Sequence, residues 1–465
     1  MKSAALIGLA VYFLLLMLAV LREKKSRNQL DYFFAGRELP FWALSLTFVA
    51  SWWGAGSALS TADLAYEDGL GAFIYYGAPV LIATAVIYGL APVIRRLDFL
   101  TQGALITARY CPAAGRALSV LIFLFMTLNA STQMVGLGMF FGTYLGMGYE
   151  EAVFFGTAIV ILYSMFGGFR AVVLTDIIQF VFLTSSAFLV FWVAMDAAGG
   201  WAGIAAKALL DNRPGYTGMT EGLSKYLIYV ITFGCSWAIQ ANIWQRVSAA
   251  RNVTDAKRMA GLAFVTYVPL YLMVVLTGMA GFVIFPTLPE GGVVTTVVTE
   301  LMHPALGALV FVGIAAAIMS TMDSLLNTAA MTLTMDLGFG TKSEKPILYS
   351  RLATLIVSAI ALVVALSIRS ILDIAWLAAD VITTGVFIPL TAALFSGLRR
   401  WRSARGALFS MAGGLLFSLY NLGLYFKLPL PAFWTHGGAG QIITGLTLSL
   451  ALFLLGRAMT PENKD

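Results

Sequence analysis

Residues 312–335 read VGIAAAIMSTMDSLLNTAAMTLTM, and this stretch decides the fold. At about 1.5 Å per residue it is long and apolar enough to cross a bilayer as a helix. Yet it carries Ser320, Thr321, Asp323, Ser324, Asn327 and Thr328. At about 100° per residue these six fall within one arc of about 160°, with Ala317 between them, so the helix has one polar stripe on an otherwise apolar surface. A carboxylate at membrane depth is costly unless it meets a cavity, an ion or another polar group. Hydrogen bonding between helices accounts for the hydroxyls alone. Asp323 beside them points to an ion or solute site, and hard oxygen ligands suit a cation such as Na+ better than they suit a soft metal.

Composition agrees with a membrane setting. Of 465 residues 60% are hydrophobic and 11% charged, with a mean hydropathy of +0.86, which excludes an ordinary soluble domain. Apolar windows near 3–21, 41–66, 71–94, 117–145, 150–167, 171–197, 226–247, 261–285, 305–335, 349–367, 371–397, 405–425 and 439–457 predict thirteen transmembrane helices. The first window lacks a small-residue cleavage site and precedes Arg22, Lys24, Lys25 and Arg27, so it reads as an anchored span and not a signal peptide. With that basic loop inside, 23 of the 29 Lys and Arg fall on the cytoplasmic side. The N-terminus is then outside and the C-terminus cytoplasmic, in a plasma (inner) membrane. These loops account for the net charge of +6, and no nucleic-acid partner is needed.

Cys111 in a loop and Cys235 in a span predict no disulfide, and His303 and His436 show no metal-ligand spacing. No Walker-type loop or hydrolytic domain is present, which argues against primary active transport by this chain alone. Nor can a nucleophile, a base and an orienting residue be assembled, so an enzyme is not expected.

The second span, LSLTFVASWWGAGSALSTADLAY, has Gly54 and Gly56 amid small and hydroxylated residues, which lets a helix break near residues 50–56 and expose carbonyls. The fourth carries Asn129, Ser131, Thr132 and Gln133 at its middle. In GGFRAVVLTDIIQF, residues 167–180, the two glycines mark a turn, and Thr175, Asp176 and Gln179 share one helical face. The seventh span carries Gly234, Ser236, Trp237, Gln240 and Asn242 before a cytoplasmic loop with Arg246, Arg251, Lys257 and Arg258. If spans two to six and seven to eleven are inverted repeats, the second and seventh occupy corresponding positions, where transporters of this design place their sites. The eleventh adds Asp380, Thr383, Thr384 and a mid-helix Pro389 expected to kink it.

The stretches DYFFAGRELPFW, LDFLTQGALITARY, GGFRAVVLTDIIQ, WQRVSAARNVTDAKR and AAAIMSTMDSLLNTAA, in this order across residues 31–397, resemble the successive signatures of the sodium:solute symporter family. The resemblance implies an all-α, LeuT-type fold of two inverted five-helix repeats. Its parts here are an extra N-terminal helix in residues 1–30, repeats in 31–200 and 201–400, and two C-terminal helices in 401–465. It also implies a sodium site from the carbonyls of Ala50, Trp53 and Ala317 and the hydroxyls of Ser320 and Thr321. Some members bind a second sodium, and that layer here would be Asp176, Ser320, Asp323 and Ser324. Asp323 departs from the pattern, which has a small or hydroxyl residue there.

Proline carriers place an Asp where this chain has Trp52, and the Lys of the sugar carriers is absent from residues 260–285, so neither substrate is indicated. The expected pocket is lined by Ser51, Trp52, Trp53, Tyr75, Tyr76, Gln133, Trp237, Gln240 and Asp380. Such an aromatic lining suits a flat or cationic small organic solute. The expected activity is sodium-coupled symport of that solute by alternating access, with Na+ as the only bound ion and no obligatory protein partner. A proton-coupled carrier using intramembrane Asp residues is the alternative.

Overall fold

The Pro304–Met331 helix is the axis of the molecule, and every residue from 310 to 331 is buried. The computed structural model describes residues 2–22, 26, 28–340, 343–434 and 438–459. Lys24, Lys25, Arg27, His436 and the residues from 460 onwards, on which parts of the sequence reading rest, lie outside them. All named elements among the described residues are helices. The axial helix packs most extensively on the Tyr149–Ala197 and Pro112–Leu145 helices, with the Lys2–Arg22 helix along its flank. Small residues permit this closeness: a Cβ on Gly313 would meet the Phe182 carbonyl. Protein therefore covers the polar stripe and the apolar faces alike.

Among the described residues nine helices are long and apolar enough to span a membrane, or eleven if two bent pairs each count as one span. Two features separate this from the expected thirteen. The Phe41–Trp52 helix has only 12 residues and reaches about half-way through a hydrocarbon core. The 49-residue Tyr149–Ala197 run joins two expected spans through Gly168, whose φ of 58° and ψ of −167° are not helical.

That conformation is nearly restricted to glycine, and a Cβ there would lie 2.6 Å from the Tyr32 carbonyl oxygen. Gly168→Ala should therefore cost about 1–3 kcal/mol of stability. Thermal unfolding in detergent measures this, and an unchanged midpoint would refute it.

The bent pairs are Thr220–Ala238 with Ala241–Ala249, at 43°, and Ile371–Gly385 with Phe387–Leu394, at 47°. The second bend falls at Val386, three residues before Pro389, because Pro389 can neither donate to the preceding turn nor avoid crowding its carbonyl.

At one end of the bundle the chain before the Phe41–Trp52 helix is latched to neighbouring loops. Arg37 and Arg95 both pair with Asp98, at 2.7 and 3.0 Å, and Arg170 pairs with Glu38 at 3.2 Å. Arg251 Nε donates to the Glu38 carbonyl at 2.6 Å. The hydrogen bond from Arg37 holds the Asp98 carboxyl below the usual carboxylate range. Its contribution is thus fully present above that range and is lost only as pH falls through the lowered value, so the latch is closed throughout neutral pH.

Candidate functional site

The break expected in the second span falls at residues 53–55, between the Phe41–Trp52 helix and the helical turn Gly56–Ser60. Trp53 caps the first half, with its N–H on the Val49 carbonyl at 3.0 Å and a ψ of 62° that turns the chain away. The Ala50 carbonyl is left facing the axial helix. Ser320 Oγ and Thr321 Oγ1 donate to it at 2.8 and 3.1 Å, and to the Ala317 carbonyl of their own helix at 3.1 and 3.3 Å. Four buried hard oxygens thus stand together where the helix break meets the polar stripe, a donor set that fits a cation such as Na+. Trp53 lies beyond the final turn of the half-helix, beside this group.

On the other side of Thr321 opens a narrow cavity, also lined by Ser51, Trp52, Gly54, Tyr76, Asn129, Thr132, Gln133, Trp237 and Gln240. The two helix breaks meet here. Gln240 stands between the Thr220–Ala238 and Ala241–Ala249 helices with φ −61° and ψ 133°, and its Oε1 accepts from Trp52 Nε1 at 2.5 Å. The rings of Trp52 and Trp237 lie 6.3 Å apart, and those of Tyr76 and Trp237 5.0 Å apart. Gln133 Oε1 accepts from the Ala55 N–H at 2.8 Å, holding the start of the second half-helix. The free space of about 40 Å³ has room for waters.

Six residues expected in the pocket, Ser51, Trp52, Tyr76, Gln133, Trp237 and Gln240, are brought together. Three are not. The Trp53 side chain points to a separate small cavity with Ala317, Ser186 and Thr277, its ring 4.9 Å from Tyr271. Tyr75 packs into an aromatic cluster with Tyr226 and Tyr229, at 5.2 and 4.5 Å. Asp380 faces the C-terminal Ala404–Tyr425 and Ala439–Ala458 helices. It accepts from Asn421 Nδ2 at 2.9 Å and from Gln441 Nε2. Asn129 and Thr132 do line the cavity; their place beside Gln133 on one span was the available signal.

The largest departure concerns Arg246. Expected in a cytoplasmic loop, it lies on the Ala241–Ala249 helix with its side chain, like that of Asp176, 0% exposed. Its Nη2 donates to Ser324 Oγ and Thr47 Oγ1, both at 2.8 Å, and stands 3.4 Å from Asp176 Oδ2, which also accepts from Thr47 Oγ1. Its Nη1 donates to the Asn242 carbonyl at 3.0 Å. A guanidinium thus sits in the layer formed by Asp176 and Ser324. Asp323 shares none of these bonds; both its carboxylate oxygens are buried without a hydrogen-bond partner among the described residues. Tyr163 stands close to it and donates to the Met319 carbonyl at 3.3 Å.

Comparison with known proteins places this architecture. The model of the sodium:solute symporter family matches residues 32–414. A sodium/glucose cotransporter of Vibrio parahaemolyticus is 26% identical over 356 residues, covering 68% of this chain and 65% of that protein. The high-affinity proline transporter PutP of Bacillus subtilis is 26% identical over 361 residues, covering 74% and 75%. Among solved structures, a Na+-coupled sialic acid symporter in a substrate-bound outward-open state superposes with a TM-score of 0.74 at 17% identity, over 99% of this chain and 98% of the other. Mhp1, a nucleobase-cation-symport-1 family transporter in a closed conformation, gives 0.56 at 15% identity, over 91% and 93%. At such identities the structures speak for the fold, which is LeuT-like. The family match spans most of the chain, from before the broken second span to the first C-terminal helix, and this multi-pass membrane protein accordingly belongs to the sodium:solute symporter family, whose members are transporters and not enzymes.

Proposed function

We propose that the protein carries a small organic solute into the cell by symport with Na+, through alternating access. The observation that supports this most is the meeting of the Ser320 and Thr321 hydroxyls with the Ala50 carbonyl at 2.8 and 3.1 Å, beside a cavity that Thr321 also lines. Sodium would be held by the oxygens of Ala50, Ala317, Ser320 and Thr321, with the Trp53 carbonyl completing the set. The ion ties the broken second span to the axial helix, and this orders the cavity wall that contains Gly54 and Gln133. By linkage, sodium and solute then raise each other's affinity. A membrane potential of 100 mV adds roughly 2.3 kcal/mol per inward positive charge.

The solute follows from the lining. Curated relatives are named for glucose and proline, so a small organic molecule is expected. No acidic or basic side chain lines the cavity among the described residues. Its polar groups are carboxamides and hydroxyls, and its walls are aromatic. A cationic solute brought into such a site would lack a counter-charge at membrane depth and would face the sodium proposed beside Thr321. An uncharged, hydrogen-bonding solute with an apolar face fits, and a cationic one does not.

The full arrangement in this reading has thirteen spans, with inverted repeats in 31–200 and 201–400, an extra helix in 1–30 and a closing pair in 401–465. The latch of Arg37, Arg95, Arg170 and Arg251 lies on the cytoplasmic side of the plasma membrane, in keeping with an external N-terminus and an internal C-terminus.

The decisive experiment compares the thermal stability of the detergent-purified protein in NaCl and in choline chloride at matched ionic strength, and then screens neutral solutes in sodium. Stabilisation by sodium, increased further by a solute, is the expected result. Absence of any sodium effect across pH would overturn sodium coupling and favour the proton-coupled carrier.

A further inference from the structure

We infer that Arg246 is a resident cation in the layer where a second sodium would bind, so that this transporter takes up one sodium per cycle. The inference rests on the proposed sodium coupling and extends it to stoichiometry. A second sodium one turn beyond the first would need the oxygens of Asp176 and Ser324 to be free and turned toward a common point. They are turned toward a common point, and the Nη2 of Arg246 is there. It lies 2.8 Å from Ser324 Oγ, 2.8 Å from Thr47 Oγ1 and 3.4 Å from Asp176 Oδ2. Thr47 Oγ1 also donates to Asp176 Oδ2, so the carboxylate oxygen facing the guanidinium is already engaged twice.

The guanidinium cannot easily leave. It is fully enclosed, its Nη1 is tied to the Asn242 carbonyl of its own helix, and its face lies 5.4 Å from the centre of the Phe169 ring. An arginine keeps its charge under all physiological conditions and offers several donors in a fixed plane, so it neutralises Asp176 without exchanging with solvent. A sodium ion placed among the same oxygens would face a like charge in a dry setting. Asp176 and Ser324, engaged by the guanidinium, therefore do not fit a second sodium. The first site is separate: its hydroxyls belong to Ser320 and Thr321, and none of its hydrogen bonds involves Arg246.

Asp323 is the rival. Its carboxylate is buried near Asp176 and Arg246, and its oxygens are unpartnered among the described residues, so a second sodium taken on Asp323 is the result that would defeat the inference.

The test is equilibrium binding of ²²Na+ to the purified full-length protein, with protein concentration determined by amino-acid analysis. Saturation at one sodium per chain, with the affinity lowered at least tenfold by Thr321→Ala and left unchanged by Asp176→Asn and Asp323→Asn, is the expected result. Saturation at two, reduced to one by either Asp variant, would overturn it. Arg246→Gln supplies a second measurement, because glutamine keeps a hydrogen-bond donor and removes the charge. If this variant retains the Thr321-dependent sodium response, the layer should accept a second ion and saturation should rise to two. Saturation still at one would show that Arg246 is not what excludes it. No sodium binding to the unmodified protein would instead defeat the proposed sodium coupling, an outcome distinct from saturation at two.

Discussion

Thr321→Ala is expected to raise the sodium concentration needed for half-maximal stabilisation at least tenfold, equivalent to about 1.4 kcal/mol of lost binding energy. Thr321 Oγ1 is one of two hydroxyls on the Ala50 carbonyl, and it also faces the solute cavity. In the proposed site its removal takes one hard ligand from the ion and leaves Ser320 with the three carbonyls. The fold should tolerate the change. The hydroxyl's other bond, 3.3 Å to the Ala317 carbonyl, lies within its own helix, and the backbone there is already paired. Thr321→Ser, which restores the oxygen, should recover most of the sodium affinity. An unchanged sodium dependence in Thr321→Ala would remove this residue from the site.

Gly54→Ala should have a larger effect, lowering initial rates of sodium-driven uptake into proteoliposomes about 100-fold, or about 2.7 kcal/mol. A Cβ at this position would collide with Gln133 Oε1, and would lie 2.9 Å from both Gln133 Cδ and Thr321 Oγ1. Side chains sometimes yield to such overpacking at a cost of about 1–3 kcal/mol. Here yielding is expensive, because Gln133 is fixed at both ends of its amide. Oε1 caps the Ala55 N–H at 2.8 Å and Nε2 donates to Thr132 Oγ1 at 2.8 Å. Swinging Gln133 away would leave the second half-helix uncapped at the break beside the proposed ion and solute sites. Uptake by Gly54→Ala at the unmodified rate would show that the break is wider in the working transporter than in this conformation.

The axial helix was readable from the first stretch considered. A polar arc with a carboxylate at membrane depth is so costly to leave uncovered that its burial follows from composition and period alone. The break near Gly54 was readable for a related reason, since glycine next to small residues lowers the cost of leaving the helix. The pocket was legible in part. Trp52 and Trp53 are adjacent residues of the same type, but a half-helix sends successive side chains about 100° apart, so one faces Gln240 and the other faces Tyr271. Asp380 has the signature of a functional acid in sequence. Its partners Asn421 and Gln441 lie 41 and 61 residues away, and only packing reveals that they satisfy it.

By itself, then, the sequence determined a multi-pass helical membrane protein with a polar axial stripe and a broken partner helix. These features depend on local period, on composition and on the high cost of exposing polar groups to lipid. The tertiary structure decided which polar groups are spent on one another and which remain for a ligand. Arg246 shows the difference. In sequence it reads as one more basic residue of a cytoplasmic loop, but it lies on a helix set at a bend of 43°, and its guanidinium closes on Thr47, Ser324 and Asp176, from three other segments of the chain. Pairing between segments some 70 to 200 residues apart has no local sequence period to announce it, so only the packed bundle settles whether a buried charge already has its counter-ion.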